Sequence, residues 1–415
     1  MSRTSIAGAF GRLLAHRPEL RLTAYDGSSW GPADAEVTLD VRSPEAVQYV
    51  ATAPGDLGLA RAYVTGALEV HGDLHRALTL LVGDNTHDVS VAEMAATLRD
   101  LGAWVLKRPP VPAEESMAPW KRGLRHSLGR DAKAISHHYD VSNEFYEMVL
   151  GPSMTYTCAV YPDQDSTLEE AQRTKYELVS EKLRLEPGMR LLDVGCGWGG
   201  MVMHAAEHYG VKALGVTLSR QQAEYAQKAI AERGLADLAE VRFLDYREVP
   251  EAGFDAVSSI GLTEHIGRRN YAAYFTRLSE KLRPGGRLLN HCITRATTKE
   301  RARAGGFIDR YVFPDGELVG VATVMAAMQD NGFEPRHEEN IREHYAMTLR
   351  DWGRNLTANW DAAIADVGVR RARVWDLYMA ASRVGFDINR IQLHQILGVK
   401  LGKGGRSGFP LRPTY

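Results

Sequence analysis

The stretch Leu191-Leu192-Asp193-Val194-Gly195-Cys196-Gly197-Trp198-Gly199-Gly200 decides the fold of this chain. An apolar run containing one acidic residue leads directly into four glycines, and the apolar start of a helix follows. Because a backbone with so few side chains can approach a ligand closely, the pattern predicts a strand, a tight turn and a helix N-terminus that bind a nucleotide-like ligand. Tight packing alone would also use glycine here, but that is the weaker interpretation.

Strand-like runs alternate with helical stretches around this turn. The strand-like runs are 190–194, 211–217, 241–244, 256–260 and 287–293, and the helical stretches are 220–233 and 269–282. Such alternation predicts a parallel sheet with crossover helices. From about residue 299 the pattern is helical, with candidates at 322–331 and 369–383, which we expect to elaborate the ligand-binding end of the sheet.

The stretch Lys107-Arg108-Pro109-Pro110-Val111-Pro112 is held extended by its prolines and indicates a domain boundary. Before it, the runs 37–41 and 46–51 resemble short strands or helices, while 57–68 and 74–82 carry apolar residues at helical spacing. Together they predict a small α+β domain. We therefore expect an α/β protein in three parts: an N-terminal interaction domain over 1–106, a linker with a basic segment over 107–135, and a sheet domain over 136–415.

Composition excludes several classes of protein. With 44% hydrophobic and 25% charged residues, the chain resembles globular proteins, and no apolar run is long enough to span a bilayer. The first residues lack the apolar core of a secretion signal, so we expect a cytoplasmic location. The three cysteines are too few and too scattered for a disulfide framework or a zinc site, so no metal is expected. A net charge of −2 argues against a nucleic-acid binder.

A basic segment follows the linker, from Trp120 to Arg130, and mixes Lys and Arg with Trp and Leu. Such a mixture is typical of segments that lie at a membrane interface. A solvated basic face is the competing interpretation and is slightly favoured by Gly123 and Gly129, which weaken a helix.

Two features distinguish the ligand from a dinucleotide. Gly195, Gly197 and Gly200 fit the dinucleotide spacing, which alone is a weak signal. Asp193, however, places a carboxylate where the ammonium of a methionyl group would bind, and the next strand ends in 217–220 without the acidic residue that binds a nicotinamide ribose. The sequence therefore favours S-adenosylmethionine (SAM) over a dinucleotide.

Several motifs in order along the chain resemble the cyclopropane fatty acid synthase family. Besides the glycine turn, they are Gly215-Val216-Thr217-Leu218-Ser219 with Gln222, the stretches 138–146, 154–159, 264–267 and 307–314, and Tyr345 with Thr348, Leu349 and Trp352. The resemblance extends over roughly 57–400. It implies a class I, Rossmann-like SAM-dependent methyltransferase domain and a C-methyltransferase activity on unsaturated fatty acyl phospholipid. For the N-terminal domain, docking of lipid, of a second subunit or of a reductase stays open.

In that family, the alkene of an acyl chain attacks the methyl group of SAM, and a bound bicarbonate takes the proton that leaves. The resemblance assigns the bicarbonate-holding, catalytic positions to Cys158, Glu264, His291 and Tyr345. It assigns SAM contacts to Tyr156, Thr157, Thr217, Gln222, Asp245 and Tyr246, which join Asp193, Gly195 and Gly197. Each has a purely structural alternative: Cys158 as a buried thiol, His291 as a core histidine, Tyr345 as a surface aromatic, and Tyr246 or Trp198 as core residues.

The sequence departs from the usual synthase pattern beside Glu264, where Leu262-Thr263 replace an aromatic residue. The acid expected shortly before Tyr345 is either Glu338 or Glu339. These departures resemble actinobacterial relatives that make 10-methylene fatty acyl chains, with a cyclopropane ring as the close alternative product. A methyltransferase for a soluble small molecule and a noncatalytic lipid-binding protein are the competing functions.

The expected partners follow from the same resemblance. They are unsaturated phospholipid at the inner face of the membrane, where the protein would be peripheral, and a separate reductase that acts on the product. No nucleic acid is expected, and a homo-oligomer is left open.

Overall fold

The computed structural model of the protein describes residues 5–14, 17–82, 90–116, 141–299, 305–314 and 316–415. The basic segment from Trp120 to Arg130 and the first residues of the 138–146 motif lie outside these ranges. Within them, no helix combines the length and the apolar character needed to cross a bilayer.

The strands, in chain order, are β1 (Leu20–Ala24), β2 (Ser29–Trp30), β3 (Val37–Val41), β4 (Leu68–His71), β5 (Arg190–Val194), β6 (Lys212–Thr217), β7 (Ala239–Phe243), β8 (Phe254–Ile260), β9 (Leu282–Arg295), β10 (Glu334–Asn340) and β11 (Ile391–Val399).

The helices, in chain order, are α1 (Ile6–Leu13), α2 (Pro44–Thr52), α3 (Asp56–Val64), α4 (Leu74–Val82), α5 (Val91–Leu101), α6 (Asn143–Leu150), α7 (Leu168–Leu183), α8 (Gly200–Tyr209), α9 (Arg220–Glu232), α10 (Thr263–Ile266), α11 (Tyr271–Lys281), α12 (Val321–Asp330), α13 (Arg342–Ala358), α14 (Trp360–Val367) and α15 (Val369–Asp387). A short π-helix covers Ile308–Val312.

The described residues form two compact units. The smaller unit takes its described residues from Met1–Ala118, Gly305–Pro314 and Trp360–Ile388. Its four-stranded sheet has the order β2-β1-β3-β4, and alternate side chains of β1 and β3 are buried in one core. This alternation with period two arises because successive side chains of a strand point to opposite faces.

The larger unit is built on a seven-stranded sheet with the order β10-β11-β9-β8-β5-β6-β7. Strands β5 to β9 run parallel, whereas β11 is antiparallel to both of its neighbours. Leu191 and Leu192 enter two different apolar clusters, so both faces of β5 are covered. The strand order reverses between β5 and β8, and ligands of open α/β sheets bind at the carboxyl ends of strands at such a point.

The sequence predicted the sheet well but placed some boundaries elsewhere. All five predicted strands of the large sheet are present, and the helix predicted over 220–233 is α9. The run 57–68 is not one helix, because α3 ends at Val64 and Gly66 has a positive φ of 74° before β4 begins. The predicted division at residue 106 also differs from the structure, since α15 belongs to the smaller unit, where it packs on α3 and α4.

Candidate active site

The glycine turn after β5 provides an open backbone cradle. Gly195, Gly197 and Gly199 have φ values of 74°, 55° and 83°, in the left-handed region that favours glycine. A Cβ atom on Gly197 would meet no other atom within 4 Å, so space lies open above it. Gly200, at the start of α8, differs because a Cβ atom there would overlap the Tyr176 hydroxyl. The turn thus combines a cradle at Gly197 with close packing at Gly200.

Asp193 offers a buried carboxylate beside this cradle. Its side chain is 3% exposed, and its Oδ1 accepts a 2.6 Å hydrogen bond from Ser258 Oγ on β8. Burial raises the pKa of Asp193 to about 6, against the opposing effects of Ser258 and the Lys175 charge. Asp193 forms no ion pair within the described part of the chain. An ammonium group would compensate this carboxylate, so the position fits the methionyl end of SAM.

The end of β6 holds two further predicted SAM contacts in direct contact with each other. The Thr217 hydroxyl donates a 2.7 Å hydrogen bond to Gln222 Oε1, and both side chains are buried. Ser219 caps α9 by accepting a hydrogen bond from the backbone N–H of Gln222 at 3.3 Å. The cap fixes where α9 begins, and Gln222 consequently lies in the first turn of the helix, within reach of the strand end.

Asp245 and Tyr246 follow β7 at the same edge of the sheet. The Asp245 carboxylate accepts hydrogen bonds from Arg247, namely from the backbone N at 2.9 Å, from Nε at 2.8 Å and from Nη2 at 2.6 Å. The Tyr246 ring meets Tyr274 edge to face, with 5.4 Å between ring centroids. Asp245 thus has a structural ion pair, and its contact with SAM stays a prediction.

An aromatic cluster joins two of the predicted site residues. Tyr156 lies 5.3 Å from Trp352 between ring centroids, and Tyr345 meets the same indole edge to face at 6.1 Å. Tyr146 extends the cluster, at 6.0 Å from Tyr156 and 4.6 Å from Trp198. Aromatic faces attract a positive charge, so this cluster can stabilise a cation near it. We refer to these five residues as the aromatic cluster.

Lys175 is a fully buried cation next to the predicted site residues. Its Nζ donates to Thr157 Oγ1 at 3.0 Å and lies 3.9 Å from the centroid of the Tyr176 ring. Burial lowers the pKa of Lys175 to about 7, although Cys158 and Asp193 act in the opposite direction. Burial also raises the pKa of the Cys158 thiol, which therefore remains protonated. A neutral thiol can donate a hydrogen bond but does not act as a nucleophile.

Glu264 lies in the short helix α10, just beyond the end of β8. Its Oε1 accepts a 2.7 Å hydrogen bond from the backbone N–H of Ile293, which fixes the carboxyl group. Its Oε2 is buried and has no hydrogen-bond partner among the described residues. Burial raises the pKa of Glu264 to about 7. A bound ligand or an ordered water can supply the partner that such a buried polar atom needs.

His291 presents a second buried atom without a partner among the described residues. It lies in β9 opposite Ile260, and the histidine is 1% exposed. Gln395 Nε2 lies 3.2 Å from its Nδ1, whereas its Nε2 has no partner among the described residues. Burial holds the pKa of His291 well below its usual value, so the ring is neutral. Bicarbonate can both donate and accept hydrogen bonds, so the chemistry of Glu264 Oε2 and His291 Nε2 suits it.

Most of the chain is similar to known proteins. A family model described as mycolic acid cyclopropane synthetase matches residues 126–396. A "probable fatty acid methyltransferase" of Mycobacterium tuberculosis is 56% identical over 406 residues, which is 95% of this chain and 94% of that protein. The chain belongs to the mycolic acid cyclopropane synthetase family. It is a SAM-dependent methyltransferase with the class I fold.

Other members of the family support the same assignment. The cyclopropane-fatty-acyl-phospholipid synthase of Escherichia coli is 34% identical over 63% of this chain and 66% of its own length. The solved cyclopropane synthase MmaA2 of M. tuberculosis matches with a TM-score of 0.62 and 32% identity, covering 66% of this chain and 98% of that one. The mycolic acid cyclopropane synthase CmaA1, solved with S-adenosylhomocysteine, matches with a TM-score of 0.61 and 34% identity, covering 64% of this chain and 97% of that one.

Sequence reasoning missed the residues that contact the predicted site residues. Lys175, Ser258 and Gln395 bind Thr157, Asp193 and His291, and Lys182 binds Gln395. One signal was available for Lys175. It lies four residues after Ala171 and four before Val179, on the buried stripe of α7, where a charged residue is out of place. No comparable signal marked Gln395, because its contact with His291 spans 104 residues of sequence.

Proposed function

We propose that this enzyme transfers the methyl group of SAM to the cis double bond of an unsaturated, oleoyl-like acyl chain of a phospholipid. Similarity supports the acyl chain as the acceptor, since two relatives that match 95% of this chain are named as fatty acid methyltransferases. An alkene that takes a methyl group becomes a carbocation. The site must therefore stabilise a positive charge and then receive a proton.

The observation that carries the proposal is the pair of buried, unpartnered atoms, Glu264 Oε2 and His291 Nε2. Bicarbonate bound there supplies the base for the departing proton. Glu264 Oε2 accepts a hydrogen bond from the ligand and His291 Nε2 donates one, while Cys158 and Tyr345 complete the set predicted from the sequence. The aromatic cluster excludes water and offers π faces to the cation.

Among the products open to this cation, we favour the 10-methylene chain. The aliphatic Leu262 lies where an aromatic residue is usual, and its side chain is 3.3 Å from the position of a Cβ atom on Gly195. Without a π face at this position, the charge is less restricted to the carbon where it first forms. A hydride shift then moves the charge to the methylated carbon, and loss of a proton from the new methyl group gives a methylene branch on that carbon.

Two partners follow from this chemistry. A phospholipid acceptor requires the enzyme to work at a membrane surface as a peripheral protein. Conversion of the methylene group to a methyl branch needs a reductant, which we assign to a separate reductase.

The deciding experiment is expression of the chain in a host with oleoyl phospholipids, followed by mass spectrometry and double-bond analysis of its fatty acids. We expect a gain of one carbon with the alkene retained. A gain of one carbon without an alkene would identify the cyclopropane product instead. Unchanged lipids, together with S-adenosylhomocysteine release on soluble acceptors, would overturn the proposal. Glu264→Gln serves as the inactive control.

A further inference from the structure

Lys182, on α7, is buried in the larger unit and binds two acceptors. Its side chain is fully buried, and its Nζ donates to Glu339 Oε2 and, at 2.7 Å, to Gln395 Oε1. An ammonium group has three donors and no acceptor. The atom of the Gln395 amide that faces Lys182 must therefore be the oxygen.

This contact fixes the orientation of the Gln395 amide, whose side chain is itself fully buried. With Oε1 directed at Lys182, Nε2 is directed at His291 Nδ1, at 3.2 Å. An amide nitrogen only donates, so Nδ1 must accept. In a neutral imidazole the proton then resides on Nε2.

Glu339, Gln395 and His291 lie in one row across the sheet, and Lys182 on α7 contacts the first two of them. Glu339 on β10 is opposite Gln395 on β11, and Gln395 is opposite His291 on β9. Glu338 is not part of this row, since its Oε1 instead lies 3.3 Å from His394 Nε2. The structure thus separates the two acids that the sequence left as alternatives, because only Glu339 connects through Lys182 to His291.

We propose that Lys182 and Gln395 are positioning residues that hold His291 in its Nε2–H tautomer, so that Nε2 donates a hydrogen bond to an oxyanion in the active site. The inference rests on the proposed function, in which that oxyanion is bicarbonate. His291 Nε2 is then a donor throughout and does not receive the proton from the cation. Nε2 is buried and has no acceptor among the described residues, so its N–H is available to such a ligand.

The tautomer can be measured directly by 15N NMR of the full-length protein labelled at its histidines, with His291→Gln to assign the signal. We expect a protonated Nε2 and an unprotonated Nδ1 between pH 6.5 and 8, and a proton on Nδ1 would overturn the proposal. In Gln395→Glu the carboxylate only accepts hydrogen bonds, so Nδ1 should acquire a proton. Gln392→Glu adds the same charge on β11 and should leave the His291 signals unchanged, since Gln392 contacts Asn389.

Kinetics in carbon-dioxide-depleted buffer give a second, independent readout. At pH 8, Gln395→Glu should raise the bicarbonate concentration for half-maximal activity about tenfold or more, because a buried hydrogen bond to an anion is lost. Its SAM affinity and that of Gln392→Glu should stay within about twofold of the parent. An unchanged bicarbonate dependence in a folded Gln395→Glu protein would overturn the proposal. If the parent enzyme methylates no lipid but His291 still carries its proton on Nε2, the proposed function fails and the tautomer assignment stands.

Discussion

At the scale of single residues, burial rather than partner charges sets the chemistry of the site. Glu264 has one fixed oxygen and one unpartnered oxygen, and desolvation is the largest cause of its raised pKa. Burial raises the pKa of Asp193 and lowers the pKa of Lys175, since it disfavours the charged form of either group. The pKa values of all three groups therefore lie between about 6 and about 7. A charged ligand can consequently change their protonation states readily.

Replacing Glu264 by Gln should reduce methyl transfer at least ~100-fold, because the acceptor at Oε2 and its negative charge are both lost. SAM affinity should stay within about twofold, since Glu264 is predicted to hold the anion and not SAM. Turnover with oleoyl phospholipid vesicles and calorimetric titration with SAM separate the two effects. Activity equal to that of the parent would remove Glu264 from the mechanism.

The same variant should change how stability depends on pH. The pKa of Glu264 is about 7 in the folded protein, above its usual 4.5. A raised folded-state pKa contributes stability that is complete below pH ~4.5 and is lost as pH rises through ~7. Glu264→Gln should therefore leave the free energy of unfolding unchanged near pH 4.5 and increase it by ~3 kcal/mol at pH 8, as measured in urea. Glu224→Gln, on the exposed face of α9, is the control and should show no such difference.

Sequence reasoning succeeded for residues whose position follows from a strand end and failed for those defined by distant contacts. Asp193, Thr217 and Glu264 were placed correctly at one edge of the sheet because each lies at or just after the carboxyl end of a parallel strand. Gln395 and Lys182 were missed, since their significance depends on contacts that only the folded sheet creates.

At the scale of elements, the glycine turn contains two kinds of glycine that the sequence cannot distinguish. Gly197 has a positive φ of 55° and open space where a Cβ atom would be, whereas Gly200 packs against Tyr176. The spacing of glycines predicted the turn correctly. It could not show that Gly200 is required by an aromatic ring from α7 rather than by a ligand.

These two glycines should therefore respond differently to the same substitution. Gly200→Ala must displace the Tyr176 hydroxyl, which is 2.8 Å from Thr155 Oγ1, and should lower the free energy of unfolding by ~1–3 kcal/mol. Gly197→Ala adds only the cost of a left-handed conformation, ~1 kcal/mol, but its methyl group enters the cradle and should weaken SAM binding about tenfold. Urea denaturation and SAM titration of both variants test this. The idea fails if Gly197→Ala binds SAM like the parent.

Element boundaries were less predictable than element types. The helix expected over 269–282 is present as α11, but β9 already begins at Leu282, so the strand includes the Pro284-Gly285-Gly286 stretch. The reason is tertiary, because Gly285 N–H donates to the Lys400 carbonyl at 2.7 Å and so ties this stretch to the chain after β11. No local pattern reports such a bond.

At the scale of the whole molecule, the range that the family model matches and the two compact units of the structure divide the chain at different residues. The family model begins at residue 126, yet the fatty acid methyltransferases of M. tuberculosis and Pseudomonas putida match 95% of the chain. The smaller unit is also discontinuous, since it includes Gly305–Pro314 and Trp360–Ile388 along with the N-terminal residues. Glu115, whose side chain is fully buried, contacts both Arg61 and Arg310 within this unit. The N-terminal residues therefore do not form a domain by themselves, because later segments of the chain belong to the same compact unit.

A truncated chain tests this discontinuity. Residues Trp375, Leu377 and Tyr378 on α15 are buried, and α15 packs on α3 and α4. Deleting 1–116 removes both of those helices and leaves the apolar side chains of α15 uncovered, at ~1.5–3 kcal/mol for each large side chain exposed. It also leaves Arg373 and Asp376 without Glu69 and Tyr63, their partners at 2.7 Å and 2.6 Å. We expect 117–415 to aggregate or to melt well below the full chain in thermal unfolding and sedimentation measurements.

The control is full-length Tyr63→Phe, which removes one hydrogen bond only. Its free energy of unfolding should fall by about 1–2 kcal/mol, and it should remain monodisperse. A truncated chain as stable and monodisperse as the full protein would instead support the division at residue 106 that the sequence predicts.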